Sequence, residues 1–152
     1  MMEDEKKTGI ILIAEDDDDQ YELTSSALSD FRIQNKLRRV VDGEQLMDYL
    51  LARGEYNNPL LYPKPNCILL DLNMPKKDGR QALKEIKSHP KLRRIPVTVL
   101  TVSRDEHDIN MMYDLGANAY ITKPLSYDRL VEVLQLQSRY WFDATRLPQI
   151  IW

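Results

Sequence analysis

The sequence predicts an α/β fold: a doubly wound parallel sheet of five strands with helices on both faces. Two observations carry this. Short apolar runs alternate five times with segments whose apolar residues recur every three or four positions, which is the pattern of βα units. The strand runs are also continuously apolar rather than alternating, so they are expected to be buried on both faces, as parallel strands are.

Each element follows from its residues. Ile10-Ile11-Leu12-Ile13-Ala14 is a β-branched run closed by acids and forms the first strand. Asp17 to Asp19 open a helix carrying Leu23, Ala27, Leu28 and Phe31, and acids in a first turn suit the helix dipole. Leu37–Val41 is the second strand, and Asp42-Gly43 turns the chain into a helix with Leu46, Met47, Leu50 and Leu51, which Gly54 is expected to end. Residues 55–65 hold three prolines, two asparagines and two tyrosines, the composition of a loop, and one longer than most connections. Cys67–Leu72 is the third strand. Beyond Asn73-Met74-Pro75 and Gly79 a helix with Ala82, Leu83 and Ile86 runs to Pro90, followed by a fourth strand at Ile95–Thr101. Ser103 with Glu106 has capping-box spacing for a helix holding Ile109, Met112 and Leu115 and closing at Gly116. Ala119–Thr122 is the fifth strand, and Ser126 opens the last helix. Residues 1–9 form an extension, 10–144 the domain and 145–152 an apolar tail.

Composition narrows the function. A chain of 152 residues with 43% hydrophobic content supports one core. The net charge of −3 supplies no basic field for nucleic acid, and the clusters Lys36–Arg39 and Lys91–Arg94 are expected to flank strands. The single cysteine, Cys67, sits in an apolar strand as a core residue, consistent with a reducing compartment. The apolar run after Gly9 is far shorter than the roughly 20 residues that span a bilayer, so a cytoplasmic protein is expected, with no membrane partner. His89 and His107, eighteen residues apart, have no ligand spacing and are read as surface residues.

The chemistry lies at the strand ends. Glu15 and Asp16 follow the first strand, Asp71 closes the third, Thr101 ends the fourth, and Lys123 follows the fifth. In an open parallel sheet the ligand crevice lies at these carboxyl ends, near the switch in strand order. Carboxylates within about 4 Å of one another repel by roughly 4 kcal/mol per pair at an effective dielectric near 20, so Glu15, Asp16 and Asp71 together call for a cation. All-oxygen donors suit Mg²⁺. With that charge neutralised, Asp71 becomes a nucleophile toward phosphorus, assisted by Lys123 and the Thr101 hydroxyl. Singly, Thr101 is an ordinary strand-end residue, Lys123 a surface charge and Asp17, Asp18 and Asp19 a solvated helix start. Placed together, the first two gain a function.

From about Ile10 to Gln137 the chain resembles the receiver domain of two-component response regulators, a flavodoxin-like fold. The matching residues are Glu15-Asp16, Asp71, Pro75 and Gly79, Thr101, and Tyr120 three residues before Lys123-Pro124. The resemblance implies that the acid pair binds Mg²⁺, that Asn73 adds its backbone carbonyl, and that Asp71 takes a phosphoryl group from a phosphohistidine of a histidine kinase. It implies that Thr101 and Tyr120 move together on phosphorylation, that Lys123 contacts the phosphoryl group, and that Lys123-Pro124 is a cis peptide. One departure stands out. Val102 occupies a position where many receivers have a small residue, and it is expected to narrow access to Asp71. The long 55–65 loop, Tyr140-Trp141-Phe142 and Leu147-Pro148 resemble the single-domain receivers paired with phytochrome-type kinases.

Only about ten residues follow the last helix, so no effector domain is expected and output must be a protein contact, a relay or a changed oligomer. Leu134, Leu136, Tyr140, Trp141, Phe142, Leu147, Ile150, Ile151 and Trp152 exceed one helix stripe. Two accounts stand side by side: a tail folded back on its own domain, and a homodimer seam. The rival reading of the site is a Mg²⁺-dependent phosphohydrolase with an aspartyl-phosphate intermediate. Such an enzyme usually needs a second acid two residues after the nucleophile, where this chain has Asn73.

Overall fold

The structure, a computed structural model, describes residues 9–29 and 35–148. Phe31, Ile150, Ile151 and Trp152 lie outside them. The elements are β1 (Gly9–Ala14), α1 (Asp18–Ser29), β2 (Asn35–Val40), α2 (Gly43–Leu50), β3 (Cys67–Leu70), α3 (Gly79–Ser88), β4 (Val97–Thr101), α4 (Glu106–Asp114), β5 (Ala119–Thr122) and α5 (Tyr127–Arg139). All five strands pair in parallel in the order β2-β1-β3-β4-β5. The order reverses between β1 and β3, and their carboxyl ends flank the crevice.

The period of two in each strand divides the core. Leu12, Ala14, Ile68, Leu70, Val97 and Val99 face α2, α3 and α4, meeting Leu46, Met47, Leu83, Ile86 and Met112. Ile11, Ile13, Cys67, Leu69 and Leu100 face the other way, onto Ala27 and Leu28 of α1 and Leu130 and Leu134 of α5. Both faces are therefore covered, as the continuous apolar runs predict. Among the described residues no helix is long and apolar enough to cross a membrane.

Helix starts follow local chemistry. Asp42 accepts from Gln45 N at 2.8 Å, Asp78 from Arg80 N at 2.9 Å, and Ser126 from Arg129 N at 3.1 Å. Three expectations need correction. Asp105, not Ser103, caps α4, accepting from His107 N at 2.9 Å, because Ser103 Oγ instead donates to Asp108 at 2.7 Å. Helix α2 ends four residues before Gly54, with Leu51 as its cap and Ala52 at φ 55°, where two bonds from Leu51 and Ala52 N–H close the turn. Lys36–Arg39 lies within β2 itself, and charged side chains suit that outer strand.

The long loop is packed rather than loose. Tyr49, Tyr56 and Tyr62 stack with ring centroids 4.9–5.8 Å apart, and the Tyr49 hydroxyl donates to the Pro63 carbonyl at 2.8 Å.

The described part of the tail folds back on its own domain. After α5 one π-helical turn, Tyr140–Ala144, closes with Thr145 N donating to Tyr140 O at 3.0 Å. That turn buries Phe142 against the start of β1, where a Cβ on Gly9 would lie 2.2 Å from the ring. Trp141 and Leu147 pack on the same core. Leu136 and Tyr140 stay outside, each 56% exposed.

Cys67 is buried, and burial pushes its thiol up to about 12. A thiol in that range holds almost no thiolate at pH 8, and thiolate is the reactive form. The native protein is expected to leave Ellman's reagent unreacted at pH 8 and to titrate one thiol once unfolded in guanidinium; prompt native labelling would contradict the packing of β3 described above.

Candidate functional site

The sheet register sets the site. Asp71 N donates to Ala14 O at 3.1 Å and Glu15 N to Val40 O at 3.0 Å, so both acids stand at the first step beyond β3 and β1. Glu15, Asp16 and Asp71 bring one carboxylate oxygen each to within 4.8 Å of one another. Glu15 is buried and Asp16 is exposed, so the cluster has a protein floor and an open side. Lys123 N donates to Thr101 O at 2.7 Å beyond the paired ends of β4 and β5. From there its ammonium reaches Glu15 Oε1 at 2.5 Å and stands 3.6 Å from Asp71 Oδ2. Burial raises the Glu15 carboxyl above its ordinary range, and the Lys123 hydrogen bond and charge pull it back only in part.

Thr101 is fully buried at the end of β4, and among the described residues its hydroxyl has no hydrogen-bond partner. Leaving such a group unsatisfied costs about 1–3 kcal/mol. On the neighbouring strand, where Tyr120 lies opposite Val99 and Thr122 opposite Thr101, Tyr120 is half-buried and donates its hydroxyl to Ser103 O at 2.9 Å. Thr101 and Tyr120 thus occupy adjacent strands, and the backbone between them, residues 102–105, is the loop that the tyrosine holds.

The loop after Asp71 is clamped by close backbone approaches. Gly43 N donates to Lys77 O at 2.9 Å and Gly79 N to Leu72 O at 3.0 Å. A Cβ on Gly43 would fall 2.1 Å from Lys77 O, and one on Gly79 would fall 2.4 Å from Asp71 O. Only glycine fits at either point. Asn73 is exposed in this loop, its N–H directed at Asp71 Oδ1 at 3.3 Å.

Four of the expected residues, Glu15, Asp16, Asp71 and Lys123, are therefore brought together, with Thr101, Tyr120 and Asn73 on the elements that border them. Asp17, Asp18 and Asp19 remain an exposed helix start; Asp17 accepts from Gln20 N at 2.9 Å. His107 is exposed, whereas His89 is half-buried and its Nδ1 accepts from Lys91 N and Leu92 N, each at 3.1 Å, so it shapes a turn. The Lys123–Pro124 bond is trans, not cis. An X–Pro amide favours trans by about 0.5–1 kcal/mol on its own.

Arg39 is a site residue that sequence reasoning missed. Its Nε donates to the Glu15 carbonyl at 3.0 Å, its Nη1 pairs with Asp18 at 2.8 Å, and its guanidinium lies 4.6 Å from the centre of the Tyr21 ring. It holds the backbone of one of the three clustered acids. The signal was present as the basic cluster Lys36–Arg39, but only the pairing of β2 with β1 shows which arginine reaches Glu15.

Comparison with known proteins agrees with this geometry. The family model for the response regulator receiver domain matches residues 11–135. Response regulator Rcp1 from Synechocystis sp. is 40% identical over 148 residues, which span 97% of this chain and 99% of Rcp1. The crystal structure of the phosphorylated cyanobacterial phytochrome response regulator RcpA superposes with a TM-score of 0.86 at 41% identity, covering 95% of this chain and 100% of that one. The Mn²⁺-bound form of Rcp1 superposes with a TM-score of 0.85 at 40% identity, covering 93% and 99%. With its acids, lysine and threonine gathered at the carboxyl edge of a β2-β1-β3-β4-β5 sheet, the chain belongs to the response regulator receiver family, the phosphoacceptor side of two-component signalling.

Proposed function

We propose that Asp71 is the phosphoacceptor, that Mg²⁺ is its cofactor, and that the donor is a phosphohistidine on a sensor histidine kinase of phytochrome type. The observation that carries this is the Lys123 ammonium lying between Glu15 and Asp71, at 2.5 and 3.6 Å. The donor set fits a hard divalent ion: three carboxylates converge within 4.8 Å, one of them open to solvent. Glu15, Asp16, Asp71 and the Asn73 carbonyl would hold it. When bound, Mg²⁺ offsets the charge of the acids and of the incoming phosphoryl oxygens. The kinase type is inferred from relatives that are themselves phytochrome response regulators.

A carboxylate oxygen of Asp71 attacks phosphorus as the P–N bond to the donor imidazole breaks, the electron pair leaving on nitrogen, which takes a proton. Lys123 turns its ammonium from Glu15 toward a phosphoryl oxygen, a charge-assisted bond stronger than a neutral one. The Thr101 hydroxyl, unpartnered beforehand, donates to another oxygen. Its movement opens space beside β5 that the Tyr120 ring enters, and the surface of α4, β5 and α5 changes with it. Residues 10–144 carry the switch in the cytoplasm, and its output is a protein contact. Turnover chemistry on other substrates is disfavoured, because the position where a hydrolase needs its acid is held by Asn73, exposed and unable to donate a proton to a leaving group.

Incubation with acetyl phosphate and Mg²⁺ is expected to add one phosphoryl group by intact mass, a gain lost in Asp71→Asn and lost with chelator. Persistence of the gain in Asp71→Asn would remove Asp71 as acceptor, and rapid release of phosphate from many organic esters would favour the hydrolase.

Val102 is 64% exposed on the rim of a groove of about 350 Å³ whose wall includes Lys123 and Pro124. A donor that must press this branched side chain off its rotamer meets about 0.5–1.5 kcal/mol, so Val102→Ala is expected to label roughly two- to tenfold faster with acetyl phosphate. Equal rates would remove the steric role.

Leu136 and Tyr140 border a second groove with Ile121, Val133 and Trp141, and we assign this strip to a second copy of the chain. Sedimentation is expected to show a dimer at high micromolar concentration; a monomer with and without beryllofluoride would exclude it.

A further inference from the structure

The loop that receives Tyr120 is itself fixed by an ionic bridge between two helices. Arg80, in the first turn of α3, donates to Asp108 Oδ1 of α4 from Nη2 at 2.8 Å and from Nε at 3.3 Å. The other oxygen, Asp108 Oδ2, accepts from Ser103 Oγ at 2.7 Å. The carbonyl of the same Ser103 accepts the Tyr120 hydroxyl at 2.9 Å, with the Thr122 hydroxyl at 3.5 Å. Four elements are thereby linked in series through single side chains: α3, α4, the loop after β4, and β5.

The bridge is built as more than a surface pair. One carboxylate takes three donors, and the side chains are 28% and 16% exposed for Arg80 and Asp108. Charge-assisted bonds with partial cover are stronger and less screened than exposed ion pairs. Arg80 first and Ser103 second hold the Asp108 carboxyl below the usual range, so the bridge is charged at neutral pH. Among the described residues the Ser103 hydroxyl has, besides Asp108, only Asp105 N as a partner, at 3.4 Å.

We infer that Arg80 and Asp108 are positioning residues for the Tyr120 switch. By fixing Ser103 they hold in place the carbonyl that captures the tyrosine hydroxyl, and so set how readily the ring leaves its present position. The inference rests on the reading of Thr101 and Tyr120 as the switch pair. Among the described residues the hydrogen bonds and ion pairs of these two side chains go to Asp78, Ser103 and each other, not to Asp71, Thr101 or Lys123, and the route inferred for their effect on phosphorylation is through Tyr120.

The test uses the full chain carrying 3-fluorotyrosine. There are 8 tyrosines, so the Tyr120 fluorine signal is assigned from Tyr120→Phe. Arg80→Ala and Asp108→Ala are expected to shift that signal with no phosphodonor present. Asp108→Asn, which keeps the shape and an oxygen for Arg80, is expected to shift it less. Groups in one network couple strongly enough that Arg80→Ala should change the acetyl phosphate labelling rate by about two- to tenfold. In a Tyr120→Ala background that change should vanish. If Arg80→Ala loses its fold by circular dichroism, Arg80→Gln makes the same comparison.

An unmoved Tyr120 signal in the Arg80 and Asp108 variants would overturn the inference. So would an equal rate change with and without the Tyr120 ring, since that would reduce the bridge to a brace between helices. A signal that responds to Arg80→Ala but ignores phosphorylation of the wild type would instead overturn the switch reading and leave the positioning role standing.

Discussion

Burying Glu15 beside Asp71 is unfavourable unless a cation stands with them, and Lys123 is the cation the chain supplies. Its ammonium, 2.5 Å from one carboxylate and 3.6 Å from the other, joins residues 108 and 52 positions away. At such distances charge attraction in a poorly screened pocket amounts to several kcal/mol before desolvation is subtracted. The bridge is therefore a condition on the fold: β1, β3 and β5 must end at one level, or a charge is left buried alone. The parallel register meets that condition, with Ala14 opposite Leu70 and Thr101 opposite Thr122.

The same condition makes the site responsive. Three carboxylates cluster and Lys123 pairs with two of them, Glu15 and Asp71, so one ammonium leaves the cluster short of positive charge. A divalent ion on the exposed Asp16 side would complete the balance and free the lysine to turn toward a new anion. Thr101 adds a second imbalance, a fully buried hydroxyl with no partner among the described residues. The two imbalances call for different partners: on the proposed reading a cation relieves the first, and an acceptor oxygen arriving at Asp71 relieves the second.

Much of this was legible in the residues themselves. Ile11 to Ala14 had to be buried on both faces because no polar residue interrupts them, and Asp42, Asp78 and Ser126 start helices through bonds made within three residues. The site acids were legible because strand ends are marked by the change from apolar to polar. What spacing could not show are pairings made only after folding. Ser103 and Glu106 have the spacing of a capping box, yet Ser103 is drawn away by Asp108, and Asp105 caps the helix instead. Arg39 looked like one of several basic residues until β2 was set beside β1. Arg80 and Asp108 are 28 positions apart, and nothing in either neighbourhood names the other.

These late pairings divide the labour within the domain. On the α1 side, Arg39 braces Glu15 through its backbone and ties it to Asp18, so the acid floor is held by groups that do not themselves reach Asp71. On the α3 and α4 side, Gly43 and Gly79 let the backbone of residues 72–79 pass close enough to be bonded at both ends, which fixes the loop leaving Asp71. What stays adjustable lies between the two, in the Tyr120 side chain, which one hydrogen bond holds to the Ser103 carbonyl. A single bond of that kind contributes about 0.5–1.5 kcal/mol net. On the proposed switch reading, that is small enough for a phosphoryl group two strands away to overcome.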